Sequence, residues 1–246
     1  MQYKEYGKEN SEVIILLHGG GLSWWNYRDE ALLLKDRYHV ILPVLDGHSG
    51  SDRNFTSIED NASKIIGFID ERFKGSVLLI GGLSLGAQIL LEILSQRKDI
   101  CRYALIESAL VIPSPLTGKL TGPSISMSYA LIKKPSFAKA QFKSLHIRED
   151  LFEDYYRDTC AIQKDDLISF LKANSTYSLK NSLKKTEANI HIYAGAKDNV
   201  NVIRSSKMIH ALFPSSSLTF LPDLYHGEFS LNHPQLYVDN ILKIIN

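Results

Sequence analysis

The chain has 246 residues, 44% of them apolar, enough for one α/β domain or two small ones with a sizeable buried core. Its 28 Lys and Arg against 27 Asp and Glu leave a formal net charge of +1, and no long basic run gathers locally, so nucleic acid is excluded as an expected partner. Cys101 and Cys160 lie far apart and match no metal spacing, the opening Met1-Gln2-Tyr3-Lys4-Glu5 has no signal pattern, and apolar runs such as Val13 to Leu17 fall far short of the ~20 residues of a membrane helix. The expectation is a reduced, cytoplasmic protein that uses no metal, no cofactor and no membrane.

Short apolar runs alternate with longer helical patterns, which predicts an α/β fold: a mainly parallel central sheet with helices on both faces. Gln2 to Tyr6 alternates and reads as an edge strand. Val13 to Leu17 and His39 to Pro43 are unbroken apolar runs, expected of strands covered on both faces. Ile58 to Phe73 reads as a helix: Thr56 and Glu59 have capping-box spacing, Ile58, Ala62, Ile65, Ile66 and Ile69 recur on one side, and Gly75 ends it. The strand Val77 to Ile80 leads into a helix over Leu85 to Arg97, followed by a strand over Tyr103 to Ile106. The rhythm then changes. Pro113, Pro115, Gly118, Gly122 and Pro123 break the chain, and amphipathic segments follow at Ser124 to Lys134, Ser136 to His146, Glu149 to Ile162 and Asp165 to Ala173. Residues 113–187 are therefore expected to be a helical cap inserted into a core domain of residues 1–112 and 188–246. Strands at Ile190 to Ala194 and Leu218 to Leu221 and a helix over Pro234 to Ile245 complete the core.

Gly82-Leu83-Ser84-Leu85-Gly86 matches G-x-S-x-G and falls between a strand and a helix, where a sharp turn lifts a serine hydroxyl clear of the sheet. Ser84 is the candidate nucleophile. A hydroxyl is nearly inert at neutral pH and needs a base. Of eight histidines, His226 is the best placed, in the loop after the last strand, whereas His191 lies in a strand, His210 in a helical pattern, and His233 beside Pro234 at a helix start. The imidazole in turn needs a carboxylate on its other nitrogen. Asp198, in the loop after Ile190 to Ala194, fits. Glu107 could serve from another strand, although a buried or capping role suits it better, and Asp223 and Glu228 lie too close to His226 in sequence to reach its far nitrogen naturally. For the oxyanion, the Leu85 N–H is one donor, and His18-Gly19-Gly20-Gly21 supplies the second, from Gly20 or alternatively Gly21. A phosphate cradle is disfavoured, because neither G-x-x-x-x-G-K-[ST] nor a helix-opening G-x-G-x-x-G is present.

With these residues in place, the chain resembles the α/β-hydrolase superfamily, close to its capped esterase-like serine hydrolases, over nearly its whole length. The order Ser84, Asp198, His226 is that family's order. Asp46-Gly47-His48-Ser49-Gly50-Ser51-Asp52 is similar to the family's Gly-His-Gly-x-Ser turn, with Ser49 in place of the usual glycine; that turn is structural in the family, so His48 takes no chemical role, and His18 is read as shaping its loop. The resemblance disfavours dehalogenases and epoxide hydrolases, which carry aspartate where this chain has Ser84, and a peptidase is not indicated.

The resulting expectation is hydrolysis of a small to medium carboxylic ester through an acyl-enzyme. Thioester, lactone and carbon–carbon bond hydrolysis use the same constellation, and a slow-turnover ligand-sensing protein of this fold is the alternative of another class. Trp24, Trp25, Leu83 and Tyr129 are the residues expected to line an apolar substrate pocket under the cap.

Overall fold

A computed structural model describes all 246 residues of the chain. Its seven strands form one sheet in the order β1-β3-β2-β4-β5-β6-β7. The edge strand β1 (Tyr3–Tyr6) pairs antiparallel with β3 (His39–Pro43). All other neighbours among β2 (Val13–Leu17), β4 (Val77–Leu83), β5 (Cys101–Glu107), β6 (Asn189–Gly195) and β7 (Ser217–Leu221) are parallel. Every residue of β2 and β3 is buried, as their unbroken apolar sequences require of strands covered twice.

Successive side chains of a strand point to opposite faces, and the sheet divides the core accordingly. Ile15, Leu17, Ile80 and Ile106 join one cluster with α2 (Ile58–Phe73), α3 (Leu85–Gln96) and α8 (Val200–Leu212). Ile14, Leu16, Leu79 and Leu105 join the other with α1 (Arg28–Leu34), α9 (Glu228–Asn232) and α10 (Pro234–Ile245). Each fully buried Leu or Ile stabilises the fold by about 1.5–3 kcal/mol. Because the parallel strands share a direction, the loops after β2, β4, β6 and β7 open at one edge of the sheet.

Four helices lie between β5 and β6: α4 (Pro115–Ile132), α5 (Pro135–Ser144), α6 (Phe152–Ala161) and α7 (Lys164–Thr176). Buried carboxylates fasten α6 and α7 to the rest of the chain. Asp158 of α6 accepts the Trp25 indole N–H at 2.8 Å and the Ser49 hydroxyl at 3.0 Å, and Asp166 of α7 accepts the Phe55 N–H at 2.7 Å. Ser49, the departure from the resembled family's glycine, is thus a tether between the turn after β3 and α6.

Several boundaries differ from expectation. α4 begins at Pro115 and runs through Gly118, Gly122 and Pro123, which read as breakers in sequence. Pro115 occupies the first turn, where a missing N–H costs nothing, and Pro123 is exposed, so solvent can satisfy the carbonyl it frees. The cap of α2 is Ser57, whose side chain accepts the Asp60 N–H, and Thr56 instead donates to the Asp60 carboxylate at 2.5 Å. β4 extends through Leu83, so the sheet carries directly into Ser84.

Candidate active site

Ser84 sits between the end of β4 and the first turn of α3 with φ 52° and ψ −107°, a left-handed backbone that a side chain adopts at a cost of about 1–3 kcal/mol. Its surroundings enforce that turn. The Ser84 N–H donates to Glu107 O at 2.9 Å, and Ser84 O accepts from Gln88 N–H at 3.0 Å. A Cβ on Gly86 would stand 2.1 Å from Leu17 O, and one on Gly82 would stand 2.6 Å from Gly86 O. The two glycines of the motif are therefore demanded by backbone packed on backbone, where α3 meets β4 and β2.

The loops after β6 and β7 are joined in the same way. A Cβ on Gly195 would meet Leu224 O at 2.1 Å, while the N–H groups of Ala196 and Lys197 donate to Leu221 O and Leu224 O at 2.8 and 2.9 Å. This closeness delivers Asp198 to His226. His226 Nδ1 lies 3.0 Å from both Asp198 oxygens, and Asp198 Oδ1 also accepts the Asn199 N–H at 2.6 Å. The Asp198 side chain is fully buried and that of His226 is 44% exposed, so the carboxylate is shielded while the imidazole meets solvent.

Ser84, Asp198 and His226 line one cavity of about 450 Å³; Ser84 Oγ and His226 Nε2 are not hydrogen-bonded to one another, and neither has another partner inside the protein. Leu110, Ile112, Thr117, Asn174, Lys197 and Tyr225 contribute to its wall. Trp24, Trp25, Leu83 and Tyr129, expected to line it, are placed elsewhere. Trp25 is buried on Asp158, Trp24 lies under the Lys4 ammonium, Tyr129 donates its hydroxyl to Ile162 O at 2.7 Å, and Leu83 packs beneath Gly19 and Gly227. Aromatic residues near a site in sequence are most often core, and these hold the fold together. Polar and apolar side chains both contribute to the wall.

The glycine loop runs beside the helix start. A Cβ on Gly20 would lie 3.5 Å from the Leu85 side chain. Gly19 is already spent, its N–H donating to Asn26 Oδ1 at 3.2 Å and its carbonyl accepting from Leu22. The N–H groups of Gly20, Gly21 and Leu85 are left without partners inside the protein, and Gly21 occupies φ 79°. His18 is committed on both nitrogens, Nδ1 to Gly19 O at 2.9 Å and Nε2 to the Leu45 N–H at 3.1 Å. Burial holds its pKa well below the usual histidine value. His48 is likewise buried, stacks on Phe170 at 4.4 Å, and is pushed down to about 4 by desolvation. His48 Nδ1 lies 3.0 Å from Asp46 O while its Nε2 is buried without a partner, and neither His18 nor His48 lines the cavity.

Glu107, the alternative acid, lies at the end of β5 with its side chain buried. Oε1 accepts the Ser230 N–H at 3.2 Å, and Oε2 has no partner. Burial first, and then the charge of Asp198, push its pKa up to about 8, against the lowering effect of Ser230. Near neutral pH it is mainly a protonated neighbour of Asp198.

Two features of the site had no signal in the sequence. His146, in the left-handed region at φ 55°, stacks face to face on Tyr225 at 4.0 Å, and its carbonyl accepts from Asn232 at 2.6 Å, which braces the His226 loop from the segment after α5. Gln88, one turn below Ser84, donates to Leu110 O and Asn174 O at 2.6 and 2.9 Å, tying the α3 helix to α7. Both contacts join residues remote in sequence, and no local pattern marks them.

The sheet order, the left-handed serine at the strand-to-helix turn and the acid and histidine in following loops define an α/β-hydrolase. The chain belongs to the alpha/beta hydrolase family, whose model matches residues 14–240. It is 23% identical to an uncharacterized hydrolase of Bacillus subtilis over 91% of this chain and 86% of that protein. An AB hydrolase superfamily protein of Gibberella zeae is 30% identical over 46% of this chain, which spans 40% of that relative's length. Among solved structures, the enol-lactonase of Burkholderia xenovorans superposes with TM-score 0.83 at 14% identity, covering 99% of this chain and 95% of that one. The esterase of Exiguobacterium antarcticum gives 0.82 at 18%, with 99% and 94% covered. At such identities the structural likeness shows the fold.

Proposed function

We propose that this chain is a serine hydrolase acting on small to medium carboxylic esters, with Ser84 as nucleophile, His226 as base and Asp198 as its orienting acid. The observation that carries the reading is the convergence of a strained Ser84 and an Asp198-bonded His226 on one cavity. With Nδ1–H donated to Asp198, the imidazole is held in the tautomer whose Nε2 can accept the serine proton, and the buried carboxylate stabilises the imidazolium that forms. Ser84 Oγ attacks the carbonyl carbon, the carbonyl oxygen takes up the charge, and the free N–H groups of Gly20 and Leu85 receive it, at about 3 kcal/mol of barrier for each donor. His226 then returns the proton to the departing alkoxide, and water repeats the sequence to release the acid.

A cavity of about 450 Å³ whose wall mixes polar and apolar side chains suits a compact acyl group. Residues 113–187 act in this reading as a cap, supported by the wall positions Thr117 and Asn174 that they contribute. Lactone opening is the second reading, favoured by the fold likeness to an enol-lactonase.

Fluorophosphonate labelling followed by peptide mapping tests the proposal. The probe should modify Ser84, and Ser84→Ala should lose both labelling and turnover of 4-nitrophenyl acetate while keeping its circular dichroism spectrum. Turnover persisting in Ser84→Ala removes this serine from the mechanism. A panel of lactones and linear esters then separates the two readings.

A further inference from the structure

Of the 18 residues of α4 only Gly118 and Ile132 are buried, and the helix rests on α7 along one side. Its outer side is apolar: Leu116, Leu120, Met127 and Leu131 are 68%, 53%, 86% and 36% exposed. At 3.6 residues per turn these four positions fall within an arc of about 60° and extend over about 22 Å of helix. Single exposed leucines are ordinary on a protein surface, whereas a continuous apolar row marks a surface that meets something.

Charge indicates what it meets. Between Glu107 and Glu149 the chain contains no acidic residue, yet it places exposed lysines at 119, 133, 134, 139 and 143. None of the five is ion-paired, since the lysines with a carboxylate within 4.0 Å are Lys8, Lys64, Lys98, Lys180 and Lys197. Lys139 and Lys143 share a surface depression with Glu149 and Glu228, which leaves Lys119, Lys133 and Lys134 as the free charges beside the row. A second copy is a poor occupant, because a two-fold contact through α4 would set these lysines against one another. An apolar ridge on the outer side of α4, with Lys119 on its flank and Lys133 and Lys134 just past its end, suits a lipid surface, where the stems lie along the acyl boundary and the ammonium groups reach phosphates.

We propose that α4 docks on an anionic lipid surface, lying in the plane of the interface with Leu116, Leu120, Met127 and Leu131 inserted and Lys119, Lys133 and Lys134 at the headgroups. The contact is peripheral: no helix of the chain is long and apolar enough to cross a membrane. The apolar row becomes continuous only when the helix forms, so the run-length test applied to the sequence does not detect it. Ser114 and Thr117 at the start of α4 and Leu145 after α5 line the cavity holding Ser84, so its mouth borders the docked face.

Co-sedimentation of the full chain with vesicles of phosphatidylcholine, with and without phosphatidylserine, tests this. Binding is expected only to the anionic vesicles and should weaken as salt is raised. Each of Lys133→Gln and Lys134→Gln should lower the partition coefficient about fivefold. The pair Leu120→Glu and Met127→Glu together should lower it by at least about tenfold. These side chains lie outside the cavity, so hydrolysis of a water-soluble ester should be unchanged in every variant, which separates this result from any failure of the catalytic proposal. Absence of sedimentation, equal sedimentation with neutral vesicles, or full binding by the glutamate pair overturns the proposal. Light scattering that finds a dimer abolished by the glutamate pair assigns the face to a second copy and overturns it too.

Discussion

Glu107→Gln isolates the consequence of placing two carboxyl groups behind one imidazole. Glu107 is buried, with one oxygen on Ser230 N–H and the other unpartnered, and its pKa stands at about 8 against an ordinary value of 4.5. Because the folded pKa lies above the unfolded one, the contribution of this group to stability is fully present below about pH 4.5 and declines as pH rises toward 8, where the folded state keeps a proton that the unfolded state has released. The slope is about 1.4 kcal/mol per pH unit, so wild-type protein should lose ~3 kcal/mol from this group alone between about pH 5.5 and pH 7.5. Glutamine keeps the acceptor for Ser230 and carries no titrating proton, so the variant should lack this slope. Urea unfolding followed by tryptophan fluorescence at several pH values measures it, and the variant should gain on wild type steadily as pH rises. Parallel stability curves for the two proteins would refute both the raised pKa and the neutral state of Glu107. Ester turnover should persist in Glu107→Gln, since the proposed partner of His226 is Asp198.

Asp198→Asn, by contrast, should lower kcat by about 10⁴ through the wrong imidazole tautomer, with KM little changed, as steady-state kinetics will show. Gly86→Ala forces a Cβ to within 2.1 Å of Leu17 O and should destabilise the fold by about 3 kcal/mol or cost soluble expression, read by denaturant midpoint and yield. Ser49→Gly restores the residue usual in the resembled family but removes the hydroxyl donated to Asp158, so Tm should fall by about 2–6 °C with kcat unchanged.

The nucleophile was legible because G-x-S-x-G is a local device: strand, turn and helix follow one another, and the glycines answer to contacts at that same turn. Asp198 and His226 were legible in a weaker sense, as polar residues in loops after predicted strands, and it is sheet order that brings those loops together. The wall of the cavity was not legible. Trp24, Trp25, Leu83 and Tyr129 were expected there from composition and proximity, but Trp25 and Tyr129 find partners on α6 and the segment after it, and Leu83 packs beneath the two active-site loops. Breakers misled for a related reason, since Pro115 and Pro123 are tolerated where they fall in α4 and only the folded environment shows this.

By itself the sequence determined the parallel α/β architecture, the strand-to-helix turn at Ser84 and the order of the three polar residues, because these depend on periodicity and on backbone sterics within short stretches of chain. Tertiary structure alone decided that Glu107 is buried with one carboxylate oxygen unpartnered, that Ser49 and Trp25 anchor α6, and that four apolar side chains of α4 face outward. Burial and charge environment are properties of what packs against a residue, and that is set by segments far away along the chain.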